Sequence, residues 1–452
     1  METFDIGVIG MGPGGEHVAG SLAERGLRVL GIERELVGGE CPYWGCVPTK
    51  MMIRAAHSLA EARRVPLLAG EIGPIIPDWA PVAARIRAEA TDTWDDTVAV
   101  DRFTGKGGVF VRGTGRVVSP TEVDVDGTRY ALRQGVVVAT GTTAVVPPVP
   151  GLSDVDYWTN RQLVEATELP RSLVILGGGA IGCELSQVMA RFGVTVTLVE
   201  AAPRLLALEE PEAGEILVDV LRAEGVAVHV GVGAQRVESA GDKVAVILAD
   251  GTVVTAERIL VATGRRADPA AVGLTEVGVD AGARVAPVDD RCRVTDRVWA
   301  VGDITGRGAF THVAMYQAEI VIRDILGEPG PAASYHALPR VTFTDPEVGA
   351  VGITEAQARE RLRSVHVGTT PLPSTTRGWI HKVGNEGFIK LVADGERGVL
   401  VGATVMGPSG GEVLGALAVA VHAGVSVDTL RSMIYAYPTF HRGIEDALRQ
   451  LR

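Results

Sequence analysis

Short apolar runs broken by glycine clusters set the rhythm of this chain. Residues 6–9 form one such run, cut by Gly10-Met11-Gly12-Pro13-Gly14-Gly15. A helical stretch then ends at Gly26, and a second apolar run, 28–32, closes on Glu33. Residues 172–200 repeat the unit. The run 173–176 meets Gly177-Gly178-Gly179-Ala180-Ile181-Gly182, a helix to Phe192 stops at Gly193, and the run 195–199 closes on Glu200. Unbroken apolar runs of this length suit strands of a parallel sheet buried on both faces, and glycine after each helix suits a C′ position. Two strand–loop–helix–strand units predict an α/β fold with two doubly wound, Rossmann-like domains.

Between these units, residues 108–140 read as short β hairpins with turn signals at 113–115 and Asp126-Gly127. They end in an apolar strand over 135–139 ahead of Thr140-Gly141. After the second unit, 244–248 and 253–254 flank Asp250-Gly251 as a hairpin, followed by a strand over 259–262 and Thr263-Gly264. Proline-rich 146–151 marks a crossing between domains. A second proline/glycine stretch, 327–331, precedes a last segment of mixed strands and helices without a nucleotide signature, which is expected to serve assembly. The plan is one dinucleotide domain over 1–145, a second over 146–267, a return to the first over 268–333, and an α+β interface domain over 334–452.

Both glycine loops fit G-x-G-x-x-G. Gly10 and Gly177 allow the tight turn, Gly12 and Gly179 let the backbone approach a pyrophosphate, and Gly15 and Gly182 let the helix pack on the strand. The helix N-terminus then turns its N–H groups toward the phosphates. Glu33 and Glu200 each stand 23 residues after the first glycine, where a carboxylate accepts from ribose hydroxyls. An acid there repels a 2′-phosphate, so the second loop favours NAD(H) over NADP(H), although Arg204 lies close in sequence.

At 452 residues the chain exceeds one core, and 46% hydrophobic residues with 57 glycines describe an α/β protein rich in tight turns. A net charge of −12 disfavours nucleic acid and anionic membrane surfaces. No apolar run is long enough to span a bilayer, and the N-terminus enters a strand directly, so a cytoplasmic protein is expected. Four cysteines are too few for a disulfide framework: Cys41, Cys46, Cys183 and Cys292. Cys183 reads as a small buried residue inside a helix, Cys292 is isolated, and no metal-ligand spacing occurs. The close pair in Cys41-Pro-Tyr-Trp-Gly-Cys46 differs. A five-residue step turns roughly 140° past a full circle on a helix, so only a bent first turn ahead of Pro48 brings the sulfurs together. Beside a dinucleotide loop, this pair points to redox chemistry through sulfur.

These residues resemble the class I pyridine nucleotide–disulfide oxidoreductases, the family of dihydrolipoamide dehydrogenase, glutathione reductase and mercuric reductase. The resemblance runs in order through the first loop, Gly38-Gly39-Glu40-Cys41 to Lys50, Ala139-Thr140-Gly141, the second loop, Ala262-Thr263-Gly264-Arg265, Val301-Gly302-Asp303 and Thr342-Phe343-Thr344-Asp345-Pro346-Glu347. It implies FAD at the first loop and a nicotinamide cofactor at the second, with electrons passing from nicotinamide through flavin to a Cys41–Cys46 disulfide. By match to the motif, Cys46 is the flavin-facing sulfur and Cys41 the outer thiol that attacks substrate. Cys46, just ahead of a helix, would gain thiolate stabilisation from the positive helix end. Lys50 would reach the flavin and pair with Glu184, and Asp303 would hold the ribityl chain. A helix beginning near Val313 would face the pyrimidine oxygen. Gly141 and Gly264 belong to the motifs that line the cofactors. A homodimer acting on a small-molecule disulfide or related electron acceptor follows from the same resemblance.

The chain departs from the family in two places. Where a His-Pro-Thr segment carries a glutamate five residues after its histidine, this sequence has Tyr437-Pro438-Thr439, with Arg442 at the acid position. A tyrosine is a poor base at neutral pH but can donate a proton, and nearby His441 either takes the acid–base role or sits at the surface or interface. In the redox loop, Glu40 replaces a small polar residue, and Tyr43-Trp44 either line the approach to Cys41 or pack against a neighbouring helix. A terminal cysteine pair of the mercuric reductase kind is absent, which disfavours mercury reduction. A direct flavin reductase of quinones is the competing expectation.

Overall fold

The computed structural model describes residues 1–451, which form two compact units. The first comprises residues 1–49, 83–145 and 264–334. Its main sheet runs Arg293–Thr295, Val298–Ala300, Thr128–Val138, Glu2–Ile9, Val29–Glu33, Val109–Arg112. All neighbours from Val298–Ala300 onward pair in parallel. The central strands earn that place by being apolar on both faces: Ile6, Val8, Val136, Val137 and Val138 are fully buried. Helices Pro13–Glu24 and Thr311–Leu326 cover one face, with Val18, Leu22 and Val321 in the shared core.

The hairpin expected at 113–115 does not form. Val109–Arg112 pairs in parallel with Val29–Glu33, and Gly115–Ser119 pairs instead with Glu122–Val125. Residues 113–114 are therefore a crossing, pinned where the Thr114 amide donates to the Asp126 carboxylate at 3.1 Å. The turn at Asp126-Gly127 is a true hairpin joining Glu122–Val125 to Thr128–Val138.

The second unit comprises residues 50–82, 146–263 and 335–452, of which 335–451 are described. A five-stranded parallel sheet runs Ala227–Val230, Thr195–Glu200, Ser172–Leu176, Arg258–Val261, Tyr157–Trp158. The hairpin read around Asp250-Gly251 joins Lys243–Leu248 to Val253–Ala256, and Ala234–Ala240 completes a three-stranded antiparallel sheet. The C-terminal part is an antiparallel sheet in the order Pro339–Thr342, Glu347–Gly352, Val399–Gly407, Phe388–Asp394, Val365–Pro371. Helices Gly410–Ala423 and Gly443–Arg449 pack on it, and its core gathers Leu391, Leu414, Leu417 and Leu448. Among the described residues no helix is long and apolar enough to cross a membrane.

Candidate active site

In the first unit the glycine loop leaves Ile9 and enters helix Pro13–Glu24, with a proline in its first turn. A Cβ on Gly10 would lie 2.5 Å from the Ala139 carbonyl oxygen, and one on Gly15 would lie 2.0 Å from the Gly10 carbonyl oxygen. The Ala139-Thr140 step thus packs under the first glycine, and only hydrogen fits at either position. Glu33 ends its strand with both carboxylate oxygens engaged, accepting from the Met11 and Glu35 amides at 2.8 Å each. Gly39 of the redox loop lies against Gly12, where an added Cβ would approach the Gly12 Cα to 2.9 Å.

Cys41 sits in a single helical turn, Glu40–Tyr43, and Cys46 opens the long helix Cys46–Leu68. The break between them at Trp44-Gly45 bends the chain as Pro48 led us to expect. The Cys41 thiol hydrogen-bonds to Cys46, and this bond, with burial behind it, raises the Cys41 thiol well above its ordinary value. The Cys46 Sγ lies 3.5 Å from the Thr311 hydroxyl. Tyr43 and Trp44 are buried, with ring centroids 5.8 Å apart, and Tyr43 packs beneath Gly38. They act as packing under the loop rather than as an open aromatic surface. Glu40 lies 3.6 Å from Arg265, whose guanidinium donates to the Thr142 hydroxyl at 2.9 Å and the Thr142 carbonyl at 2.7 Å. The Thr142 hydroxyl in turn donates to Asp303 at 2.8 Å. Burial pushes the Asp303 carboxyl up, with the Glu40 charge adding to it.

The helix expected near Val313 starts at Thr311, and the Val313 amide donates to the Phe310 carbonyl at 3.0 Å. Phe310 occupies the N-cap position without a side-chain cap, so the usual polar signal for a helix start is missing. Thr311 escaped the sequence reading for the same reason. Gly141 adopts φ +64° and Gly264 φ +119°, conformations that favour glycine, and the Gly264 carbonyl accepts from the Val145 amide.

The second unit repeats the loop closely. A Cβ on Gly177 would lie 2.3 Å from the Ala262 carbonyl oxygen, and one on Gly182 would lie 1.8 Å from the Gly177 carbonyl oxygen, whereas Gly179 has nothing within 4 Å. Glu200 accepts from the Gly178 amide at 2.5 Å and the Ala202 amide at 2.6 Å. Arg204 turns back on its own segment, donating to the Ala207 and Glu209 carbonyls. Cys183 is buried in helix Ala180–Arg191 and donates to the Gly178 carbonyl; burial raises its thiol strongly.

Lys50 and Glu184 form an ion pair of 2.8 Å, and Glu184 is 5% exposed, so it is no surface acid. Its other oxygen accepts from the Phe343 amide at 2.8 Å, and the Phe343 ring lies under the Lys50 ammonium, 4.6 Å from nitrogen to centroid. Gln187 exchanges hydrogen bonds with the Asp345 backbone, and Arg191 donates to the Asp345 carboxylate at 2.8 Å. Glu184, Gln187 and Arg191 therefore form one helical stripe that grips residues 343–345. Burial works against ionisation of Asp345, but Arg191 and Arg64 outweigh it and hold the carboxyl below its usual range. Of this ladder only Glu184 was visible beforehand.

At the C-terminal departure, the Arg442 guanidinium lies over the Tyr437 ring at 5.4 Å and pairs with Glu445 at 2.6 Å. Tyr437 is 65% exposed, and the Tyr437-Pro438 bond is cis. His441 is half-buried, 3.5 Å from the Thr439 hydroxyl and tilted against Tyr435. The two substituted positions still touch each other, while His441 turns to its own segment.

The first loop fits FAD on these observations: two positions where only glycine can stand, a fixed acid at the second strand, and a half-buried carboxyl at Asp303. The second loop fits a nicotinamide nucleotide on the same glycine and acid geometry. Comparison with known proteins agrees. Residues 4–318 match the family described as Pyridine nucleotide-disulphide oxidoreductase, and 338–448 match its dimerisation domain. A mercuric reductase of Bacillus cereus is 31% identical over 99% of this chain and 71% of its own length. A dihydrolipoyl dehydrogenase of Thermus scotoductus is 32% identical over 100% of this chain and 98% of its own length. The Cu(II) complex of the HOCl-induced flavoprotein disulfide reductase RclA from Escherichia coli superposes with a TM-score of 0.86 at 25% identity, covering 99% of both chains. The family is FAD-dependent and uses a pyridine nucleotide. This chain is an oxidoreductase belonging to the class I pyridine nucleotide–disulfide oxidoreductase family.

Proposed function

We propose that this protein is a homodimeric NADH-dependent reductase whose Cys41–Cys46 pair delivers electrons to a small disulfide-type acceptor. The observation that carries the reading is the Cys41–Cys46 pair on two successive helical segments behind the first glycine loop, with the Cys46 sulfur 3.5 Å from the Thr311 hydroxyl. Bound FAD would supply the two-electron carrier between nicotinamide and the sulfur pair. The chain supplies the rest. Gly10, Gly12 and Gly15 admit a pyrophosphate, Glu33 and Asp303 hold hydroxyls, and Gly177, Gly179, Gly182 and Glu200 receive the nicotinamide nucleotide. Lys50 presents a charge fixed by Glu184 and Phe343. Cys46, at the start of a 23-residue helix, is favoured as thiolate by the helix end, and Cys41 remains as the outgoing thiol. Anaerobic titration with NADH tests this: a thiolate–flavin charge-transfer band should develop and vanish in Cys46→Ser. A band unchanged in that variant defeats the reading.

Preference for NADH rests on the Glu200 carboxylate, which meets a 2′-phosphate with like charge, and on Arg204, which is turned to its own carbonyls. The ratio of kcat/KM for NADH over NADPH checks it; a value below one reverses it.

A second reading is motivated by Tyr437 and Arg442, which replace an acid–base pair by a stacked cation and ring. It makes quinones or other small oxidants the acceptors, reduced without the dithiol. Cys41→Ser separates the two, since quinone reduction surviving in that variant favours the second. A screen of glutathione disulfide, lipoamide, coenzyme A disulfide, Hg(II) and quinones identifies the acceptor class.

A further inference from the structure

With FAD at the first glycine loop, the reading on which this proposal rests, Asp303 has to accept from a hydroxyl while half-buried. Burial favours the neutral form of a carboxyl, in which one oxygen carries a proton and stops being a free acceptor. We propose that Arg265 is a positioning residue for Asp303: acting through Thr142, it keeps the carboxyl ionised and oriented as an acceptor for FAD, while Glu40 of the redox loop draws on the same cation. The contacts form one directed chain. Arg265 Nε donates to the Thr142 hydroxyl oxygen at 2.9 Å, and a second guanidinium nitrogen donates to the Thr142 carbonyl at 2.7 Å. A guanidinium has no acceptor, so these bonds run one way only. The single Thr142 hydroxyl proton is left for Asp303, which accepts it at 2.8 Å. The third guanidinium nitrogen lies 3.6 Å from the Glu40 carboxylate.

The scaffold fixes both ends of the chain. Arg265–Arg266 pairs with Thr143–Ala144, so strand bonds flank the Arg265–Thr142 contact. Gly302 enters the Asp303–Thr305 turn at φ +80°, and its amide donates to the buried Gln317 side chain at 2.6 Å. At the other end Glu40 opens the turn Glu40–Tyr43 directly ahead of Cys41, and Gly39 lies against Gly12. Glu40 and Asp303 therefore share one guanidinium, and neutralising either gives the other the whole cation.

The electrostatics of Asp303 agree with this division. Burial is the largest influence and raises it, the Thr142 hydroxyl and Arg265 pull it down, and Glu40 pushes it up again. Charged and titratable groups on the neighbouring elements are turned elsewhere. Arg307 of the same turn reaches the Val288 carbonyl at 3.5 Å, His312 stacks on Phe310, and His17 pairs with Glu319.

The test is FAD retention by the loaded holoenzyme on ultrafiltration, from about pH 8 down to about pH 4. It is read as the flavin-to-protein absorbance ratio, with far-UV circular dichroism confirming the fold at each pH compared. An acid that accepts only when ionised makes retention fall as pH drops through its pKa. Asp303→Asn is the reference and should hold FAD more weakly, without that acid limb. Thr142→Val and Arg265→Met should each move the midpoint of the limb up by about one pH unit, the size of one hydrogen bond to a charged group. Thr142→Ser should restore the parent midpoint, and Glu40→Gln should move it down. A merely structural role would loosen FAD in all of these variants without shifting the limb in opposite directions. If Arg265→Met does not fold, Arg265→Lys, which keeps the charge and loses the fork, is read in its place and should also shift upward. An unshifted Thr142→Val, a Thr142→Ser that fails to rescue, or an upward shift in Glu40→Gln overturns the proposal. Loss of FAD in Asp303→Asn with no shift in the other variants sinks the Arg265 chain alone. An Asp303→Asn profile superimposed on the parent sinks the assignment of Asp303 to FAD itself.

Discussion

The two glycine loops are built alike and finished differently. In each, the first glycine lies on the backbone of an Ala-Thr step, the third lies on the carbonyl of the first, and a glutamate at the end of the second strand accepts two amides. The middle glycine separates them. Gly12 is met by Gly39 of the redox loop, while Gly179 faces open space. A ligand covered by a second loop dissociates slowly, and one approached from open space exchanges freely. The contrast suits a resident cofactor at the first loop and a nucleotide that comes and goes at the second. The helices leaving the loops differ as well. After Gly182 the helix carries the Glu184–Gln187–Arg191 stripe, whereas after Gly15 it carries Glu16 and His17, paired with Arg102 and Glu319 near the surface.

The most damaging way to break the symmetry is at the third glycines. Gly15→Ala and Gly182→Ala each drive a Cβ into a carbonyl oxygen at 2.0 and 1.8 Å, a strain of about 3 kcal/mol or more. Gly15→Ala should abolish FAD retention, measured by the flavin-to-protein absorbance ratio. Gly182→Ala should keep FAD but lose reduction by NADH in stopped flow. Next comes the stripe that only the second helix has. Asp345→Asn should cost about 3 kcal/mol at pH 7 in urea unfolding by leaving the buried Arg191 short of a charged partner. Because the folded-state carboxyl is held below its usual value, its contribution is complete above about pH 4 and fades as pH falls further. The variant should therefore lose part of the parent's acid-limb slope, and a difference between the two that stays constant down to pH 2 would contradict the assignment. Smaller is Gly39→Ala, which places a Cβ 2.9 Å from Gly12 at a φ of +66° and should loosen FAD by about tenfold, or 1.4 kcal/mol. Smallest is Gly179→Ala. With nothing within 4 Å, it should leave the melting temperature unchanged and raise only the KM for NADH. If Gly39→Ala and Gly179→Ala behave alike, the covered-versus-open distinction is wrong.

The loops were legible in the sequence because glycine there answers a backbone demand that no other residue meets. The Cys41–Cys46 pair was legible through its spacing ahead of Pro48. Long-range pairing was not. Nothing local distinguishes Val109–Arg112 as the parallel neighbour of Val29–Glu33 from the first arm of a hairpin. The start of the Thr311 helix was hidden because an N-cap of phenylalanine sends no polar signal. The Phe343 and Asp345 contacts were hidden for another reason. Their partners lie about 150 to 300 residues away in sequence, and only folding brings the Thr342–Glu347 motif to the stripe on Ala180–Arg191. Tyr43 and Trp44 could be read two ways until their burial decided for packing.

Glu33 and Glu200 each have both oxygens tied to backbone amides. A free glutamate side chain surrenders roughly 1.5–2 kcal/mol of rotational freedom when it is immobilised. Here that loss has already occurred on folding, and the arriving ribose finds an acceptor that does not need to be ordered. Dinucleotide binding at either loop should therefore show little entropic penalty from this residue, so a calorimetric comparison with Glu→Asp variants, whose shorter arms cannot keep both amide contacts, would register the difference in the entropy of binding before the affinity.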